Sequence, residues 1–356
     1  MKTLLIGIDG ADYYYIKNLL QKGSLPRIKK IIDAGIFLPL KTTIPENSAV
    51  AWPSIYTGTN PGKHGCYDFF YRPQNDISLN LINYYSIKAE PIWSILDRYG
   101  KKSILINVPI TYPPFPLNGL LVCGINVPEG EKNICYPKEI SEELWNKFPE
   151  YSIKPPFIRE KDINFELYLD KLIHLIEMRT EVTRWLMAKL DWNFTMVVFT
   201  SSDSIQHYAG YHPLLNKIQD PFYKTGAKKA ILKIYQKIDE AVGHLIDISE
   251  PDYIFLISDH GSSPSRGYIL NLALFLYKEG FLKFKLNKKA VNIMDPDIWN
   301  LPIREFISST SLYQPSGCLR EDRATGEIEI EDISKCYNIF CSCYTYNKIR
   351  KIFYCR

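Results

Sequence analysis

Three acidic residues follow closely on short apolar runs: Asp9 after residues 3–8, Asp203 after residues 194–200, and Asp259 after residues 253–257. Apolar runs ended by a polar group read as buried parallel strands. In open α/β sheets the carboxyl ends of strands gather around one crevice, so the three carboxylates are expected to converge. Anions crowded together repel one another and are costly to desolvate, which predicts bound cations. Two imidazoles accompany them: His207 follows Asp203 with three residues between, and His260 is next to Asp259. Imidazole combined with carboxylate favours a transition metal over magnesium alone, zinc first and manganese second. If the chain turns helical after the second strand, Asp203 and His207 share a face and can hold one ion. A sharp turn before Gly261 must bring Asp259 and His260 to a common point. Either pair alone would pass as surface decoration or an ordinary turn; joint placement after strands carries the reading.

A hydroxyl attacks at neutral pH only when a base or a metal takes its proton, and residues 42–48 offer three, on Thr42, Thr43 and Ser48. Residue types leave the choice among them open. Ser48 taken alone also reads as a loop serine or a helix N-cap.

The elements that must position these residues alternate along the chain. A helix over residues 26–34 closed by Gly35, a strand over 37–43, a helix opened by Pro91 and ended by Gly100, and strands over 103–106 and 120–124 come first. A long helical pattern over 163–190 precedes the last two core strands, and between those Ile231, Ile234, Tyr235, Ile238, Val242 and Leu245 recur at helical spacing. The expected fold class is α/β, a doubly wound, mostly parallel sheet with a small helical cap insertion. Residues 1–130 and 191–290 are expected to form the catalytic core, 131–190 the cap, and 291–356 a divergent or truncated C-terminal segment.

At 356 residues, 46% apolar and 23% charged, the composition is that of a folded globular chain. A net charge of +4, with no dense track of Lys and Arg, predicts no nucleic-acid partner. The opening run is cut off at Asp9, too short for a secretory leader or a membrane span. The expected location is therefore the cytoplasm, with no membrane partner and with the eight cysteines as thiols rather than disulfides.

Ser48-Ala49-Val50-Ala51-Trp52-Pro53-Ser54-Ile55-Tyr56-Thr57-Gly58, followed by Pro61-Gly62-Lys63-His64-Gly65, resembles the nucleophile region of the type I phosphodiesterase/nucleotide pyrophosphatase family, within the alkaline-phosphatase-like superfamily. In that family a Thr or Ser lies six residues before the Ser of a Ser-x-x-Thr-Gly run, which falls on Ser48. Gly7-Ile8-Asp9-Gly10, Asp203-Ser204-Ile205-Gln206-His207 and Ser258-Asp259-His260-Gly261 are similar to its metal-binding motifs, in the same order. Glu90-Pro91-Ile92-Trp93, Ile106-Asn107-Val108-Pro109 and parts of 270–282 resemble its prokaryotic branch of phosphohydrolases and phosphomutases. The resemblance covers residues 3–285.

It implies an alkaline-phosphatase-like core and a two-metal displacement on a small phosphorylated substrate. Asp9, Asp259, His260 and Ser48 would surround one divalent ion, and Asp203 and His207 would hold a second. Ser48 would form a phosphoseryl intermediate that water releases. Asn107 is the candidate substrate-binding residue, donating to a nonbridging phosphate oxygen, with a strand-end cap as its other reading. Phosphodiester hydrolysis is the leading expectation, and a phosphomonoesterase, phosphomutase or phosphotransferase with the same nucleophile is the alternative. No Cys-x-Pro-x-Arg motif surrounds Ser48, which speaks against a sulfatase.

The chain departs from the family twice. No His follows His260, where the family supplies a further ligand to the second ion, and Asp68 and Phe69 stand where the pyrophosphatases have Asn. The first departure leaves a catalytically impaired remnant as a further reading, with His212 as a substitute ligand. It also leaves two readings of the tail with Cys336, Cys341, Cys343 and Cys355: a truncated or frameshifted end, or a divergent one whose cysteines help bind metal.

Overall fold

The apolar run that opens the chain forms β1 (Thr3–Ile8), largely buried because strands pair with it on both sides. The computed structural model describes residues 1–71, 80–154, 165–209 and 226–262, with the backbone of short strands at 283–284, 320–321 and 328–330. Asp12 accepts the Tyr15 N–H and starts α1 (Tyr13–Gln21), and Pro26 opens α2 (Pro26–Asp33), where its missing N–H costs nothing. Asn47 caps α3 (Ser48–Thr57), which ends at Gly58 with a left-handed φ of 63°. Next come α4 (Pro61–His64), β2 (Phe70–Tyr71), β3 (Asn80–Leu81), a 3-10 turn at Tyr84–Ser86, α5 (Ile92–Arg98), β4 (Ser103–Val108), β5 (Gly119–Cys123) and β6 (Cys135–Tyr136). They are followed by α6 (Glu139–Lys147), α7 (Phe165–Lys189), β7 (Phe194–Phe199), α8 (Ser201–Ala209), α9 (Ala227–Ser249) and β8 (Tyr253–Ile257). The remaining strands are β9 (Lys283–Phe284), β10 (Arg320–Glu321) and β11 (Ile328–Ile330).

The main sheet has the order β6-β5-β4-β7-β1-β8, parallel throughout except for β6, which runs antiparallel to β5. From β1 the chain places β4 two positions away, adds β5 and β6 outward, then returns to fill the gap with β7. β8 lies on the other side of β1. The three strands that lead into Asp203, Asp9 and Asp259 are therefore neighbours, with Asp9 in the middle. Every residue of β4 and β7 is buried, as a parallel sheet covered by helices on its faces requires. In α9 the six residues singled out by helical spacing are all buried.

The mostly parallel α/β architecture is the one expected, and the described elements of 131–190 pack onto it. β6 extends the sheet by one strand. α7 packs against α8, α9, β4 and β7 and sinks Tyr168, Leu172, Ile176, Val182 and Leu186 into the main core. The expected strand over 37–43 is irregular instead, because among the described residues no strand pairs with it, and without a ladder β propensity alone does not hold a strand. Phe37 stacks on Tyr13 with ring centres 4.6 Å apart, while Ile36, Leu38 and Leu40 are exposed.

The chain divides into two units, Met1–Phe69 with Leu81–Pro264, and Phe70–Asn80 with Ser265–Arg356. In the second, β11 runs parallel to β9 and antiparallel to β10. The rest of 291–356 with its cysteines, the motif at 270–282 and His212 lie outside the described residues. Among the described residues, Cys66, Cys123 and Cys135 are buried free thiols, and no helix is long and apolar enough to cross a membrane.

Candidate metal centre and active site

β1 delivers Asp9 to the carboxyl edge of the sheet, 2% exposed, and Gly10 takes a φ of 66° to turn the chain away. β8 ends beside it in Ser258-Asp259-His260. Asp259 Oδ1 accepts the Gly10 N–H at 3.2 Å, and Thr42 Oγ1 donates to the Asp259 carbonyl at 2.6 Å. Ser258 Oγ accepts the Ala11 N–H at 2.9 Å and donates to the His260 carbonyl at 2.7 Å. These bonds bend the turn enough for two adjacent side chains to face one point. The ligand atoms of Asp9, Asp259 and His260 all lie within 4.8 Å of one another. His260 Nδ1 lies 2.8 Å from the Gly261 carbonyl, which can only accept, so the proton sits on Nδ1. Nε2 then turns its lone pair to the cluster, 3.7 Å from Asp9 Oδ1 and 3.3 Å from Asp259 Oδ2.

Ser48 is the first residue of α3, and its Oγ lies 3.3 Å from Asp9 Oδ1 and 3.1 Å from His260 Nε2. The positive end of the helix dipole favours an anion beside it. One turn on, the buried Trp52 donates its Nε1–H to Asp9 Oδ2 at 3.0 Å, so Ser48 and Trp52 hold the two oxygens of one carboxylate. Sequence reasoning gave Trp52 no role; its spacing of four from Ser48 on one helix face was the signal available. His64 Nδ1 accepts the Cys66 N–H at 3.2 Å, which leaves Nε2–H to donate to Ser54 Oγ at 2.8 Å. Ser54 in turn donates to the Val50 carbonyl at 3.1 Å. His64 therefore braces α3 as a neutral imidazole, and burial pushes its pKa down accordingly.

Burial, and then the charges of Asp259 and Asp203, push the Asp9 carboxyl well above the usual carboxylate range, against the bonds from Trp52 and Ser48. Burial also raises Asp259, opposed by His260 and the Gly10 N–H. Asp259 Oδ2 is buried with no hydrogen-bond partner. An orphaned carboxylate oxygen, two carboxyls held back from ionising and an imidazole lone pair fit a divalent ion such as zinc. Asp203 and His207 share one face of α8, with His207 Nε2 3.4 Å from Asp203 Oδ2. Among the described residues, the only group of three or more potential ligands is Asp9, Asp259 and His260, so the α8 residues form a separate pair.

Asn107, the next-to-last residue of β4, takes a left-handed conformation, φ 55°, with β7 between β4 and β1. Tyr151 donates its hydroxyl to Asn107 Oδ1, and Asn107 Nδ2 is buried with no partner. The fully buried Arg179 donates to the Val198 carbonyl at 2.9 Å, Thr200 Oγ1 at 3.2 Å and the Ile153 carbonyl at 3.0 Å, tying α7 to the end of β7. Nothing in the helical pattern around Arg179 distinguishes it from an exposed position.

Phosphonoacetate hydrolase from Sinorhizobium meliloti 1021 in complex with phosphonoacetate is similar in structure, with a TM-score of 0.54 at 14% identity, over 79% of this chain and 62% of that one. The same hydrolase in complex with phosphonoformate gives 0.52 at 14% identity, over 78% and 62%. Human ectonucleotide pyrophosphatase / phosphodiesterase 5 gives 0.41 at 17% identity, over 73% of this chain and 57% of that one. The chain thus spans less than two thirds of the length of these proteins, and the hydrolase likeness speaks for the fold alone. The sequence profile described as type I phosphodiesterase / nucleotide pyrophosphatase matches residues 3–307, from β1 through the turn that carries Asp259 and His260 and beyond, and the chain belongs to that family.

Proposed function

We propose that the chain hydrolyses phosphoric esters, small phosphodiesters foremost, with Ser48 as nucleophile. The observation that carries this is the place of Ser48 Oγ, at a helix N-terminus and within 3.3 Å of Asp9 Oδ1 and 3.1 Å of His260 Nε2. Two divalent ions, zinc or manganese, one at Asp9, Asp259, His260 and Ser48 and one at Asp203 and His207, would supply positive charge for the attacking and leaving oxygens. Ser48 Oγ bonds to phosphorus as the ester oxygen departs, and water then cleaves the phosphoserine. Asn107 Nδ2, a buried donor without a partner, is the candidate contact to a nonbridging oxygen. Family membership supports the reaction class.

Hydrolysis of bis(p-nitrophenyl) phosphate beside p-nitrophenyl phosphate, with added zinc or manganese, tests the reading. Diester turnover is expected, falling by on the order of 10⁴–10⁶ in Ser48→Ala, as for other hydroxyl nucleophiles. A preference for the monoester would move the assignment to a phosphatase or mutase. A second reading, a relative that binds metal without turnover, is favoured by one observation: among the described residues, Asp203 and His207 belong to no group of three potential ligands. Two tightly held ions per chain speak against it, and one or none, with no turnover of either ester, speaks for it.

A further inference from the structure

The ligand sets of the two proposed ion sites come from separate elements: the exit of β1, the β8 turn and the start of α3 for one, and α8 for the other. Their spacing must be held by something other than the ions, because a two-ion displacement needs the ions about 3.5–4 Å apart. In α8 each ligand is preceded by a residue that bonds to the backbone of the β1 exit. Ser202, immediately before Asp203, is fully buried and donates its Oγ–H to the Asp9 carbonyl at 2.6 Å. Gln206, immediately before His207, is 5% exposed and donates Nε2–H to the Gly10 carbonyl at 2.9 Å and to the Ser202 carbonyl at 2.9 Å. Residues 202 and 206 lie four apart, on one helical stripe; residues 203 and 207 form the stripe beside it. One stripe grips the loop that carries Asp9 while the next carries Asp203 and His207.

The contact leaves no slack. A Cβ on Gly10 would stand 2.9 Å from Asp203 Oδ1, 3.0 Å from its Cβ and 3.1 Å from its Cα, so the Gly10 backbone packs directly on Asp203. Rotation or sliding of α8 along β1 would break both hydrogen bonds and carry Asp203 and His207 away from Asp9 together. The donors of both Ser202 and Gln206 are engaged by backbone carbonyls rather than by the cluster. We propose that Ser202 and Gln206 are positioning residues that set the distance between the two ion sites. The proposal rests on the two-ion reading above and extends it to residues that touch neither ion.

Manganese(II) reports the spacing directly, because two such ions a few Å apart are exchange-coupled and give a paramagnetic resonance spectrum distinct from that of isolated ions. The full chain is titrated with manganese by calorimetry and resonance, as wild type and as Ser202→Ala, Gln206→Met and Ser202→Thr, with a melting curve in chelator to check folding. Wild type is expected to take two coupled ions. Ser202→Ala and Gln206→Met are expected to keep the first ion, bind the second roughly 10- to 100-fold more weakly, and lose the coupled signal. Ser202→Thr, which keeps the hydroxyl, is expected to retain it. Two coupled ions bound with wild-type affinity in both Ser202→Ala and Gln206→Met overturn the positioning role while leaving the two-ion reading intact. Fewer than two ions in wild type overturns the two-ion reading itself, and the positioning role with it. The two substitutions remove different donors, so one folded variant suffices.

Discussion

At Asp9 two demands meet: its carboxylate must ionise to bind a cation, and burial together with Asp259 and Asp203 opposes ionisation. Because its folded pKa is raised, the folded state keeps the proton longer than the unfolded state. The stabilisation this gives is complete below the ordinary carboxylate range and is lost as pH rises through the raised value. In chelator, Asp9→Asn is therefore expected to melt above wild type at pH 8, with the gap shrinking as pH falls toward 4. With zinc or manganese present the order should reverse, since wild type then binds the ion. Melting curves across pH in both media check this, and a gap independent of pH would falsify it. The acidic residues and their histidines were legible because each follows an apolar run, a local signature. Ser202 and Gln206 were not, since their partners are main-chain carbonyls 193 and 196 residues away and nothing nearby in sequence marks them.

At the scale of elements, β1 and α3 meet through one missing side chain. A Cβ on Gly7 would stand 2.3 Å from Trp52 Cη2 and 2.9 Å from its Cζ3, so only glycine lets the indole lie across β1 and reach Asp9. Gly7→Ala is expected to destabilise the protein by about 1–3 kcal/mol, as overpacking of a full core does. It should also weaken metal binding by pulling Nε1 off Asp9 Oδ2. Trp52→Phe removes the clashing atoms, so Gly7→Ala/Trp52→Phe should be less destabilised than the two single changes summed, and denaturant titration of all four proteins measures that coupling. An additive result would show that the ring and the strand do not bear on each other. Periodicity found β1, β4, β7, α7 and α9 because burial selects for it, whereas β8, an edge strand with Tyr253 and Phe255 exposed, was found by its apolar content. The composition of the segment that holds α7 gave no sign that Tyr168, Leu172 and Ile176 on one face of that helix join the main core. Apolar content alone drew a strand over 37–43, and composition does not say whether a neighbouring strand exists to pair with it.

For the molecule as a whole, the strand order β7-β1-β8 gathers the candidate ligands from far apart in the chain: the bond from Gly10 to Asp259 spans 249 residues. The order of the motifs in sequence announced convergence but not adjacency, which depends on β7 returning to fill the gap beside β1. An ion held by Asp9, Asp259 and His260 would join the start of the first unit to its end, a link absent from the unfolded chain, so metal binding should appear as global stability. At a free metal concentration about 100 times the dissociation constant, the gain is about 2.7 kcal/mol. For a unit of this size roughly 2–4 °C accompanies each kcal/mol, so the melting midpoint in zinc or manganese should lie about 5–10 °C above that in chelator. Asp259→Asn, which alters the orphaned carboxylate, should lose most of the increment, whereas Ser48→Ala, which keeps both carboxylates and the imidazole, should keep most of it. Midpoints equal with metal and with chelator in wild type would mean that the cluster holds no ion, and Ser48 would then have to be activated by Asp9 or His260 alone.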